Sequence, residues 1–146
     1  MNKRNFLSTL TLALAFAGGA AQAQNTPVGL WQMLDEDSKQ PLSLVRINEV
    51  GGIQSGKLEK LLDPARQNAK CVLCTDERKD QPMLGMTIMR NVKSSGDGIW
   101  DGGEILDPNN GKVYRVRLKP IEGGKALEVR GYIGPFFRNQ RWGRVE

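Results

Sequence analysis

From residue 28 onward, apolar and polar residues alternate in short runs. Turn-forming residues interrupt these runs at intervals of roughly 8–12 residues, the rhythm of antiparallel strands and not of helices. The pattern predicts eight strands, over residues 28–34, 42–48, 53–61, 84–92, 99–106, 112–119, 126–133 and 139–145. The turns between them are rich in Gly, Asn, Asp and Ser. Asp35-Glu36-Asp37-Ser38-Lys39, Gly51-Gly52, Ser94-Ser95-Gly96-Asp97-Gly98, Pro108-Asn109-Asn110-Gly111 and Glu122-Gly123-Gly124 each mark one, and Gly134-Pro135 breaks the seventh strand from the eighth. Asn110-Gly111 is a hairpin signal because both residues accept positive φ. One connection is long: residues 63–82 hold both cysteines, with a helical turn expected from Pro64.

The sixth strand shows the alternation best. Tyr114, Val116 and Leu118 interleave with Arg115, Arg117 and Lys119, so one face is apolar and the other carries three cations. Leu127, Val129 and Ile133 alternate with Glu128 and Arg130 in the seventh. Such strands have one side in a core and one in water. Eight of them, joined by short hairpins and without crossover helices, close most simply into an all-β, up-and-down barrel, which removes exposed edges. An eight-stranded barrel has an interior that side chains fill or that holds one small ligand.

The start of the chain has a different pattern. Lys3 and Arg4 precede an apolar run from Phe6 to Ala17, and Ala21-Gln22-Ala23 is a small-residue cleavage site. The run is too short to span a bilayer and reads as an export signal. The working protein is then expected to begin near Gln24, as one domain over 24–146, in the periplasm or outside the cell. Loss of Lys3 and Arg4 removes two charges from a net +5, leaving a mild, dispersed basic excess that implies no nucleic-acid partner. After Ala23 no further apolar run predicts membrane insertion, and no sequence motif predicts a cofactor. The chain contains no histidine, which excludes Ser-His-Asp and Cys-His nucleophiles and His-ligated metal.

Four groups of residues could carry chemistry. Cys71 and Cys74 form a C-x-x-C pair, readable as a local disulfide, a redox couple, or half a metal site completed by Asp76 and Glu77. Trp100, Asp101, Gly102, Gly103, Glu104 and Asp107 make a dense patch in the fifth strand. Its glycines suggest a bulge, its carboxylates raise glycoside hydrolysis, and Asp107 suits a cap on the following turn. Tyr114 and Tyr132 have hydroxyls that could orient a ligand. Gly29-Leu30-Trp31 near the start, with Trp142 flanked by Arg141 and Arg144 near the end, resembles the lipocalin pattern in which a tryptophan plugs the barrel and an arginine stacks across it.

Taken in order, these segments resemble an exported bacterial family, domain of unknown function 2147. The resemblance rests on Pro27-Val28-Gly29-Leu30-Trp31, the cysteine pair before Pro82-Met83-Leu84-Gly85-Met86, and Trp100 to Ile105 with Asp107-Pro108. It continues through Gly111 to Tyr114, Leu127 to Gly134, and Gln140-Arg141-Trp142-Gly143-Arg144. It implies a lipocalin-like barrel and no established activity. The expected function is binding of a small apolar or amphipathic ligand. The candidate contacts are Trp31, Trp100, Tyr114, Tyr132, Trp142 and Arg141, without catalytic or metal-binding residues. Two alternatives stand beside it: an envelope enzyme using Asp101 and Glu104 or the cysteines, and a partner-binding protein whose contact patch is Phe136 and Phe137.

Overall fold

A computed structural model describes residues 25–146; the predicted export signal lies outside the described residues. Eight antiparallel strands close into one barrel in the order of the chain. They are β1 (Gly29–Leu34), β2 (Pro41–Val50), β3 (Ile53–Leu61), β4 (Thr87–Gly96), β5 (Ile99–Asp107), β6 (Lys112–Ile121), β7 (Ala126–Ile133) and β8 (Phe136–Arg144). The seam between first and last strands is narrow. Trp31 pairs with Arg144 and Gln32 with Gly143. The seam is lengthened by Leu30 N–H to Glu146 O (2.9 Å) and Val145 N–H to Leu30 O (2.8 Å).

The pairing places the β1–β2, β5–β6 and β7–β8 turns and the long β3–β4 connection at one end, the mouth. The β2–β3, β4–β5 and β6–β7 turns lie at the other end, the base, with residues 25–28 and the C-terminus. The interior alternation follows the sequence pattern: Val116 and Leu118 of β6 face Leu127, Val129, Val45, Ile47 and Leu58 in one buried cluster, while Arg115 and Lys119 point outward into water.

The boundaries of β4 and β8 differ most from the expectation. β4 starts at Thr87, not 84, because Gly85 (φ +81) turns the chain back so that its N–H bonds Leu58 O. β4 then runs on through Ser94 and Ser95, because Asp97 and Gly98, both at positive φ, make the whole turn to β5. β8 starts at Phe136, not 139, because Gly134-Pro135 is itself a two-residue turn and Phe136 pairs with Ile133. Ile133, expected on the apolar face, projects beyond the rim and is exposed. The helical turn after Pro64 is present as a 3-10 turn, Pro64–Arg66, capped by the Asp63 side chain.

The base is sealed by Trp31, which is fully buried. Its indole N–H donates to Pro27 O (2.7 Å), and the Arg144 guanidinium lies 4.1 Å from the ring centroid. Arg144 also donates to the carbonyls of Gly124 (2.6 Å), Val28 (2.9 Å) and Thr26 (2.7 Å), tying three segments together. This explains the Gly-x-Trp pattern: a Cβ on Gly29 would sit 2.5 Å from Arg144 Nη1.

Candidate functional site

The mouth contains a cavity of about 250 Å³. Six strands contribute apolar side chains to it. Met33 of β1, Leu42 of β2, Ile88 of β4, Ile105 of β5, Val129 of β7 and Trp142 of β8 form an apolar wall. The β8 alternation then brings polar groups inward toward the rim, because Trp142, Gln140 and Arg138 share the face opposite Leu127, Val129 and Gly131. These groups are linked in a chain. Trp142 Nε1 donates to Gln140 Oε1 (3.0 Å), and Gln140 Nε2 donates to Glu36 Oε1 (2.6 Å). Arg138 pairs with Glu36 (3.1 Å) and lies 3.8 Å from Asp107. Tyr114 closes the opposite side, its hydroxyl accepting from Asn110 Nδ2 (3.1 Å). Asp35 and Asp37 of the β1–β2 turn complete the lining, so four carboxylates face one guanidinium. The Asp35 carboxyl is held below its ordinary range, chiefly by the Ser38 N–H.

The β3–β4 connection covers part of this end. Cys71 and Cys74 are joined as a disulfide and both are buried, so of the readings of the pair the local disulfide is the one observed. Cys71 Sγ lies 3.5 Å from Pro108 O, and Arg66 donates to Asn109 Oδ1 (2.5 Å). Gly111 (φ +73) allows this contact, since a Cβ there would be 1.9 Å from Leu73 O. Asp107 caps the turn as expected, accepting from Asn109 N–H (2.9 Å).

The same connection is tied to the wall by ion pairs. Buried Arg78 binds Asp76 through Nε (3.1 Å) and Nη2 (2.5 Å) and donates to Thr87 O (3.0 Å). Arg90 bridges Glu104 (2.9 Å), Glu77 (2.7 Å) and Asp76 (3.4 Å). Hydrogen bonds from Arg78, working against burial, hold the Asp76 carboxyl at about 2, below its ordinary 3.8. A depressed folded value stabilises the protein above the unfolded value, and that contribution is lost as pH falls through the folded one. Thermal stability is therefore expected to drop between pH of about 3.8 and about 2, with a smaller drop in Asp76→Asn. Equal acid sensitivity of the two proteins in a melting series would refute the assignment.

Of the six residues expected to contact a ligand, Trp142 and Tyr114 line the cavity. The other four lie elsewhere. Trp31 is in the base plug, beneath Arg144. Trp100 pairs with Leu118 near the base turn and packs on the core there. Tyr132 has the opposite parity to Gly131 and points outward, with Arg115 5.5 Å from its ring centroid. Arg141 also points outward, paired with Glu122 (2.6 Å). Glu36, Arg138 and Gln140 were not expected in the site. The signal for Arg138 and Gln140 was their alternation with Trp142, which needs the eighth strand to begin before residue 139.

Neither Asp101 nor Glu104, the carboxylates of the enzyme alternative, lines this cavity. Glu104, between inward Gly103 and Ile105, lies on the outer wall and is engaged by Arg90. Among the described residues, no cluster of Cys, Asp and Glu is arranged to hold a metal ion. Nor is any helix among them long and apolar enough to cross a membrane.

Comparison with known proteins gives two similarities. The profile of a family described as "uncharacterized protein conserved in bacteria (DUF2147)" matches residues 29–144. Among solved structures, protein HP1028 from the human pathogen Helicobacter pylori, described as belonging to the lipocalin family, is similar over 82% of each chain. The TM-score is 0.70 at 19% sequence identity, a likeness of fold. No curated protein matches the chain.

Proposed function

Because the chain belongs to the DUF2147 family and folds as a lipocalin-like barrel, we propose that it is an exported carrier of a small apolar or amphipathic molecule. The observation that carries this reading is the cavity itself: about 250 Å³ with an apolar wall and a polar rim confined to one end. Pockets for drug-sized ligands start slightly above this volume, so the occupant has roughly ten non-hydrogen atoms. Its apolar part lies against Met33, Ile105 and Trp142, and its polar end sits at Glu36, Gln140 and Arg138. The excess of carboxylates at the rim favours a neutral or cationic end over an anionic one. The carrier works in the periplasm or outside the cell. The apolar run of residues 6–17 before Ala21-Gln22-Ala23 supports this, and the disulfide suits an oxidising compartment.

Titration with decanol, followed by tryptophan fluorescence, tests the reading because Trp142 forms part of the wall. Saturable binding is expected. Met33→Trp and Ile105→Trp each place an indole in the cavity and are expected to weaken binding by about tenfold or more, with near-UV circular dichroism retained. Absence of a saturable response with both decanol and decylamine would overturn the carrier reading. Native mass spectrometry of protein from its own host then identifies the occupant.

A further inference from the structure

We propose that the β7–β8 hairpin tip, with the basic outer face beside it, docks on the surface of an anionic lipid bilayer. This goes beyond the carrier reading, since it rests on the outside of the barrel and not on its cavity. Residues 131–137 read Gly-Tyr-Ile-Gly-Pro-Phe-Phe and carry no charge. Phe136 is 73% exposed, Phe137 58% and Ile133 48%. Phe137 beside Tyr132 on the outer face, and Phe136 beside Ile133 on the other face, leave apolar side chains in water on both sides of this turn, which a suitable phase would bury.

The surroundings of the tip decide which phase. Strand register sets the outward positions of β6–β8 in three rows. Arg115 faces Tyr132, which faces Phe137; Arg117 faces Arg130, which faces Asn139; Lys119 faces Glu128, which faces Arg141. Five cations therefore share this face with Glu128, and the one farthest from the tip, Arg141, is paired with Glu122 of the base turn (2.6 Å), which leaves four cations against one carboxylate. Glu128 lies 3.8 Å from both Arg117 and Arg130 and carries charge enough for only one of them. The cations nearest the tip are level with its rings: Arg130 is 4.5 Å from the Phe137 centroid and Arg115 is 5.5 Å from that of Tyr132. Tyr132 and Phe137 themselves contact, with centroids 6.1 Å apart.

Rings and guanidiniums at one height match the headgroup region of a bilayer. Aromatic side chains enter the boundary between headgroups and acyl chains, while arginines meet lipid phosphates. The face carries charge along its length, so the barrel lies on such a membrane and does not span it, because a spanning barrel needs an apolar outer band. The carboxylates Glu36 and Asp107 belong to the interior side of the rim and are engaged by Arg138. A tip that wets the bilayer beside the cavity mouth would also give a poorly soluble ligand a short path between membrane and barrel.

Vesicle co-sedimentation tests the proposal. The protein is recovered from a bacterial host that exports it, and its N-terminus is read by mass spectrometry. Wild type and variants then share one start. Binding is expected to vesicles of phosphatidylglycerol and phosphatidylcholine in equal parts, to be weak on phosphatidylcholine alone, and to be released by high salt. Phe136→Ser with Phe137→Ser, and separately Arg115→Gln with Arg130→Gln, are each expected to cut partitioning by about tenfold or more. Decanol binding should be unchanged in both, which separates this proposal from the carrier reading. Wild type that stays in solution with the anionic vesicles, or variants that sediment like wild type, would overturn it. So would a photo-crosslinker at position 136 that labels one discrete protein in envelope preparations and no lipid.

Discussion

Trp31→Ala is expected to destabilise the protein by about 3–5 kcal/mol, the range for removing a large aromatic from a closed site. Trp31 is fully buried at the base, where β1 and β8 meet in a seam of two paired positions. Its loss leaves a cavity, orphans the Pro27 carbonyl, and strips the ring from beneath the Arg144 guanidinium. Arg144 is a half-buried cation whose desolvation already pushes its pKa below the ordinary value. It is held by the ring and by the carbonyls of Gly124, Val28 and Thr26. Removing one support leaves the rest of that charge's burial less compensated. Trp31→Phe keeps a ring face and loses the indole hydrogen bond, so a smaller cost of about 1–2 kcal/mol is expected. Urea midpoints at constant slope measure both. A cost for Trp31→Ala within about 0.5 kcal/mol, the level of a surface substitution, would mean that the base plug contributes little.

Gly103→Ala is the second large effect, for the opposite reason: it adds an atom where backbone already stands. A Cβ at Gly103 would be 2.3 Å from Arg90 O and 2.7 Å from Val92 N. These are main-chain atoms of the neighbouring strand, so no side-chain rotation relieves the clash. The two strands approach closely because each is irregular at this level. Asn91 of β4 and Gly102 of β5 both take positive φ, and the β5–β6 register shifts between Trp100 and Gly103. Accommodating the methyl requires β4 and β5 to part, at an expected cost of about 3 kcal/mol. Gly102→Ala offers an internal comparison. No atom lies within 4 Å of its Cβ, so only the strain of positive φ remains, about 1 kcal/mol. Equal midpoints for the two variants would refute the steric account.

The glycine pair is readable from the sequence as a bulge, because adjacent glycines inside a strand weaken it and mark a bend or a close backbone approach. What could not be read was which glycine bears the conformational strain and which the close approach. The Gly29-Leu30-Trp31 pattern behaved similarly. It marks a plug and offers Arg141 and Arg144 as the stacking arginine, but only the structure selects Arg144 and shows that its guanidinium fills the space a Cβ on Gly29 would need. Residue type without parity does not show which of the candidate ligand contacts line the cavity. Tyr132 and Arg141 are chemically suitable, yet each points outward, and Trp31 and Trp100 lie toward the wrong end. Arg138 was lost to a strand boundary set three residues late.

By itself the amino-acid order determined the strands, the apolar lining and the closed all-β form. These follow from local alternation and from turn residues whose preferences hold wherever they stand. The expected export signal is likewise a property of a contiguous run. Only tertiary structure decided which end of the barrel is plugged and which holds a cavity. It also decided that Glu36, Asp107, Arg138 and Gln140 meet at one rim, and that arginines of β6 and β7 stand level with the aromatic tip. Those facts depend on strand register and barrel stagger. Register is set by bulges and cross-strand packing between residues far apart in the chain, and no local pattern carries that information.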